Sequence, residues 1–147
     1  MNFRPQPVGQ NSDPFRSAAE NGDSHALIGA LAPRVVLHSP VTFHPYVGKQ
    51  VVGRLLQLVS EAFDYWRCTN EIRNVDEVTG LVFDARIGRR EIQGVDFLRF
   101  DDEGLIVELT VMIRPLSGLL ALAADIGPKI DAAGADAHAS PPPYGGP

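Results

Sequence analysis

The stretch Gly94-Val95-Asp96-Phe97-Leu98-Arg99-Phe100 sets one carboxylate among apolar residues. It reads as a β-strand, in which alternate side chains share a face. Asp96 then faces the same way as Ile92, Leu98 and Phe100. A carboxylate on such a face must be paired, hydrogen-bonded or protonated, because an isolated buried charge is costly. Asp96 is either a core carboxylate satisfied by an arginine, a tyrosine or backbone N–H groups, or an acid that faces a ligand.

Other residues offer weaker chemistry. His38 and His44 flank a loop that begins at Ser39. Either histidine near Ser39 would be a candidate base, but His38, its sequence neighbour, points the other way if the strand continues. Ser39 as a nucleophile would need a base and an oxyanion hole, and no Gly-x-Ser-x-Gly turn surrounds it. Two histidines with no placed carboxylate make a poor metal site, so neither metal nor cofactor is expected. The turn Asp101-Asp102-Glu103 lacks calcium-loop spacing and reads as a solvated hairpin tip. Phe63, Tyr65 and Trp66 form an aromatic cluster that suits core packing or the rim of a pocket. Arg114 is placed to pair with an acid or a ligand, and Arg86, Arg89 and Arg90 suit a solvent or dimer face.

The elements that must position Asp96 follow from patterning. Residues 1–12 are polar with Pro5 and Pro7 and are expected to be a flexible arm. Asp13-Pro14 starts a helix to about Glu20, with Asp13 as cap and Asn21-Gly22 as a left-handed stop. Asp23 or Ser24 caps a second helix, HALIGALA, and RVVLHSP reads as a strand. VTFHPYVGK is expected to be a loop. Over 49–63, Val52, Leu55, Leu56, Val59, Ala62 and Phe63 line one helical face, with Lys49, Gly53, Gln57, Ser60 and Glu61 mainly on the other. Strands follow at YWRCTNEIRNV, GLVFDARIG, EIQGVDFLRF and LIVELTVMIR, with turns at Thr79-Gly80 and Asp101–Gly104. Pro115 stops the last strand, and LSGLLALAADI is a short terminal helix. The tail 131–147 is rich in Ala, Gly and Pro and is expected to be disordered. Helices first and strands later argue for one α+β domain over 13–130, with a long curved antiparallel sheet wrapped around helices.

Bulk properties narrow the function. The 147-residue chain is 44% apolar and 21% charged, with a net charge of -5. Lys49 and Lys129 are its only lysines, so no basic stripe offers a nucleic-acid surface. Cys68 is the single cysteine, which excludes an internal disulfide and a cysteine-based zinc site. The N-terminus lacks the apolar core of a signal peptide. Leu116 to Ile130 is broken by Gly118, Asp125, Gly127 and Pro128 and does not read as a membrane span. A cytoplasmic protein is the expectation.

Three stretches in this order resemble the cone-shaped α+β superfamily of nuclear transport factor 2, SnoaL-like polyketide cyclases and ketosteroid isomerase. FRSAAENGD (15–23) is similar to its first helix and exit. SPVTFHPYVG (39–48) is similar to the loop before its third helix. VDFLRFDDEGLI (95–106) is similar to its hairpin, with the Phe-Asp-x-x-Gly-x-Ile turn. The resemblance spans about residues 13–116.

The resemblance implies a cone-shaped fold, a homodimer through the outer sheet face, and an apolar pocket. The isomerases use a first-helix tyrosine and a protonated aspartic acid as an oxyanion hole, with a second aspartate as base. Asp96 falls at the protonated acid. Phe15 stands in place of the tyrosine and Ser39 in place of the base, so the isomerase set is incomplete. Epoxide hydrolysis by an Asp-Arg-Asp set would need arginine where Gly94 stands. Polyketide-cyclase chemistry, with one acid/base carboxylate, remains open. The favoured expectation is a protein that binds a small apolar molecule, steroid- or polyketide-like, with Phe15, Ser39, Trp66, Asp96 and Met112 in the pocket. The alternatives are a lyase, isomerase or cyclase with Asp96 as catalytic acid/base, and a non-catalytic interaction module whose cavity is filled by its own side chains.

Overall fold

The computed structural model describes residues 11–74 and 76–132, the last two as backbone only. Of the expected arm over 1–12 only residues 11 and 12 are described, and of the expected tail over 131–147 only 131 and 132, which continue the last helix; the rest of both lies outside the described residues.

The chain enters through α1 (Asp13–Asn21), closed by Gly22 at φ 66, whose N–H reaches the carbonyls of Ala18 and Ala19. Ser12, not Asp13, holds the N-cap position, and it makes no capping bond. Its hydroxyl instead donates to Glu71 at 3.1 Å, and Asp13 favours the helix from within its first turn. In α2 (Ser24–Gly29), Asp23 caps by accepting the Ala26 N–H at 3.1 Å.

Strand β1 (Leu31–His38) starts earlier than expected and carries Pro33. Proline is tolerated there because β1 shifts register between Leu31 and Val36. The expected loop contains a two-residue strand, β2 (Tyr46–Val47), too short to show alternation. Helix α3 (Lys49–Ala62) buries Val52, Gly53, Leu55 and Leu58. Gly53 was expected on the outer side. It faces Ile28 of α2, whose Cγ1 would lie 3.0 Å from an added Cβ, so the glycine lets the two helices close.

Strands β3 (Tyr65–Arg73), β4 (Thr79–Ile87), β5 (Arg90–Phe100) and β6 (Ile106–Arg114) form the meander. The β3–β4 turn precedes Thr79-Gly80, which belong to β4. Asn74 Oδ1 organises this turn by accepting the N–H groups of Asp76 and Val78. Asp101 does the same at the β5–β6 turn for Glu103 and Leu105, with Gly104 at φ 83.

The curved, unclosed sheet has the order β2-β1-β6-β5-β4-β3. It is mixed, not purely antiparallel, because β1 runs parallel to β6. Phe15, Val52, Leu55, Phe83, Leu98 and Leu109 belong to one continuous core. Helix α4 (Leu116–Ala132) runs well past its expected end and passes through Pro128. Leu122 and Ile126 of α4 pack with Leu58 of α3 in a second cluster. No described helix is long and apolar enough to cross a membrane.

Candidate functional site

Alternation along β5 sends Ile92, Gly94, Asp96 and Leu98 inward. Asp96 pairs across the sheet with Leu81 of β4 and Val111 of β6. It is 6% exposed. Among the described residues, no hydrogen bond or ion pair to its carboxyl accompanies the ones found around it, and burial alone pushes its pKa up to about 7. With no donor to stabilise a carboxylate, the protonated form is favoured until neutral pH.

Asp96 lies on the wall of a cavity of 590 Å³ between the inner sheet face and helices α1, α3 and α4. Gly94, one inward position before it, is required by the packing. A Cβ there would lie 2.5 Å from Phe83 Cζ and 2.6 Å from the Met112 carbonyl oxygen. The Phe83 ring takes that space and stacks on Trp66 at 5.1 Å between centroids, with planes 25° apart. Phe15 of α1 is 3% exposed and lines the same cavity without a hydroxyl.

Three other polar side chains bordering the cavity have partners. Glu20 accepts the Cys68 N–H at 3.0 Å. Asp64 accepts the Gly88 N–H at 3.0 Å. Ser39 Oγ accepts the Val41 N–H at 3.0 Å, which fixes the head of the loop. Thr42 Oγ1, further along that loop, is buried without a partner.

Solved structures place this geometry. A steroid delta-isomerase from Pseudomonas aeruginosa matches with TM-score 0.79 and 31% identity over 92% of this chain and 99% of that one. The chain belongs to the nuclear transport factor 2-like superfamily. An uncharacterised protein with a cystatin-like fold from Silicibacter pomeroyi matches this superfamily member with TM-score 0.80 and 21% identity, over 86% of this chain and 89% of that one. A nuclear transport factor 2-like protein of unknown function from Cytophaga hutchinsonii shares the fold at TM-score 0.62 and 14% identity, over 80% and 97%. No family model and no curated protein matches the sequence.

Within this nuclear transport factor 2-like cone, Phe15, Ser39, Trp66 and Asp96 border one cavity. Met112 does not. It is 56% exposed on the outer sheet face. A register shift between Arg99 and Phe100 opposes Arg99 to Glu108 while Phe100 opposes Ile106. That bulge inserts one residue and reverses the facing of β6 beyond it, so Val111 and Ile113 turn inward in place of Met112. His38 also lies away from the cavity, with Nε2 2.9 Å from Glu108 Oε2, and His44 does not line it. The sequence reading missed Phe83, Val111 and the α4 residues Leu122 and Ile126 as cavity wall. Leu122 and Ile126, four apart in an apolar stretch, carried the one helical signal that pointed inward.

The arrangement is one unpartnered acid on a mainly apolar wall. It can donate a hydrogen bond to one ligand oxygen, or exchange one proton with it.

Proposed function

We propose that this protein binds a small apolar ligand, steroid- or polyketide-like, in the cavity, with protonated Asp96 donating a hydrogen bond to a ligand carbonyl or hydroxyl oxygen. The observation that carries the reading is an unpartnered carboxyl, 6% exposed, on the wall of a 590 Å³ cavity. An unsatisfied buried donor costs about 1–3 kcal/mol, and a ligand oxygen would remove that cost. The likeness to a steroid delta-isomerase supports the size and apolarity of the ligand class.

A second reading makes Asp96 a single acid/base in a lyase, isomerase or cyclase. Its pKa of about 7 favours this, because a group near the working pH both gives and takes a proton. The protein is further proposed to work in the cytoplasm as a homodimer through the outer face of β5 and β6, where Phe97 and Met112 are 36% and 56% exposed. Sedimentation of wild type and Met112→Lys tests the dimer: equal monomeric masses would refute it.

The ligand test is titration of a fluorescent phenolic steroid into wild type and Asp96→Ala, with circular dichroism to check the fold. Tight binding to wild type, weakened at least about tenfold in the variant, is expected for a lost charge-free hydrogen bond at a buried site. Equal binding to both proteins would remove Asp96 from the site. Turnover of a carbonyl substrate that disappears with Asp96→Asn would establish the second reading.

A further inference from the structure

Helix α4 walls the cavity toward the Arg90 end of β5: the cluster of Leu58, Leu122 and Ile126 packs against Ile87, which pairs with Arg90, and against Ile113, which pairs with Gly94. At Gly118, in the first turns of α4, an added Cβ would lie 2.7 Å from Ile92 Cγ1. The helix backbone therefore meets the inner sheet face at the level of Ile92. Ile92 and Asp96 are four residues apart on one strand face, a separation of about 13 Å. The Phe83 ring occupies the position between them, over Gly94, with Trp66 stacked on it.

Beyond that contact, Leu122 and Ile126 are 2% and 8% exposed and lock onto Leu58 of α3. The same two side chains, with Ala123 and Ile130, line the cavity. Neighbouring polar side chains are turned elsewhere: Tyr65 Oη donates to Glu91 at 3.1 Å, and Asp64 is held by Gly88 and Arg86. The chamber thus has an acid at one level, an aromatic flank, and an aliphatic end wall.

We infer that Leu122, Ala123 and Ile126 of α4 set the length of the ligand, so that the cavity selects an elongated molecule with one hydrogen-bonding oxygen at its end and an aliphatic body that stops against α4. This inference rests on the ligand-binding reading above. The rigid contacts at both ends make the wall a fixed stop: Gly118 is seated on Ile92, and Leu122 is wedged on Leu58.

The experiment is calorimetric titration of full-length protein with a series of 4-alkylphenols of increasing chain length. Emission of Trp66, the only tryptophan, serves as a second readout. In wild type, affinity should rise up to about fourfold per methylene, the value for burying one CH2, and then stop rising at one chain length. Ile126→Ala removes three buried carbons and should move that limit to longer chains by about two carbons. Ala123→Leu fills the same end and should move it to shorter chains. Should Ile126→Ala fail to fold, Ala123→Leu still decides. Asp96→Asn should weaken every phenol by one common factor and leave the limit in place.

A limit that stays put in both α4 variants, with binding retained, overturns the inference and leaves the ligand-binding reading standing. A limit that moves in Asp96→Asn overturns it too, since the acid would then not lie at the opposite end. Absence of binding by every phenol to wild type would bring down the ligand-binding reading itself, and the inference with it.

Discussion

Glu71 and Asp96 lie in one row of the sheet: Glu71 pairs with Leu81, and Leu81 pairs with Asp96. Two strand spacings separate them, about 10 Å. Both carboxyls are held largely out of water, with the Glu71 side chain 13% exposed and Asp96 6% exposed. Glu71 accepts the Ser12 hydroxyl at 3.1 Å and lies 3.6 Å from Arg16 and 3.5 Å from Arg73. Asp96 has burial acting on it and no such partner. Leu81, 0% exposed, stands between them. The fold can therefore saturate a carboxyl in this row and does so at the edge, where Glu71 ties α1 to β3. At the centre it leaves one bare, facing a cavity. The contrast separates a structural carboxyl from one available to a ligand.

The largest test of that contrast is pH. The folded pKa of Asp96 is raised from 3.8 to about 7. As pH rises past about 4 the unfolded chain loses this proton while the folded one keeps it, so stability falls until about pH 7 and then levels off. The full loss is about 4 kcal/mol, of which about 3 kcal/mol falls between pH 5 and pH 8. Asp96→Asn, which carries no proton to lose, should gain on wild type by that amount over the interval. Urea unfolding of both proteins at the two pH values measures it. Parallel stabilities would mean that Asp96 has an unseen partner and is no different in kind from Glu71.

Gly94→Ala attacks the apolar setting and not the carboxyl. The new Cβ meets both the Phe83 ring and a backbone oxygen, and the oxygen cannot rotate away. A loss of about 3 kcal/mol in stability is expected, at the upper end for overpacking. If Phe83 swings aside, water reaches Asp96, and the pH-dependent difference between Gly94→Ala and its double variant with Asp96→Asn should shrink. An unchanged difference would show that the Phe83–Trp66 wall does not keep Asp96 dry.

The sequence carried this contrast only in part. Period-two alternation places Asp96 with Ile92, Leu98 and Phe100 from residue types alone, because that strand is unbroken from Arg90 to Phe100. Facing on β6 was not legible, since it depends on the register shift at Arg99/Phe100. A bulge leaves no mark in polarity, so Met112 could not be told from Val111. The partners of Glu71 were hidden for a different reason: Ser12 and Arg16 come from a helix 59 residues away in the chain in the case of Ser12. The parallel pairing of β1 with β6 is likewise a long-range choice. Helix α4 was cut short at Gly127-Pro128 by local rules, whereas its packing on Leu58 and Ile113 carries the helix through the proline. Local patterning thus located the acid, and tertiary contacts decided what surrounds it.

The smallest effect belongs to Glu71. Its arginine partners, Arg16 and Arg73, have side chains 40% and 37% exposed, so both can turn to water when the charge is removed. Screening leaves such pairs weak, and the Ser12 hydrogen bond adds about 1 kcal/mol. Glu71→Gln, which keeps an acceptor for Ser12, should therefore lower stability by about 1 kcal/mol or less, with the loss smaller in 1 M salt than at low ionic strength. Thermal unfolding at the two salt concentrations reads this directly. The variant should also leave the pH-dependent gain of Asp96→Asn intact, because Leu81 and about 10 Å of sheet separate the two carboxyls. A loss of several kcal/mol, or a collapse of that pH dependence, would show the two carboxyls to be one coupled network across Leu81 and would take away the reason for treating Asp96 as free for a ligand.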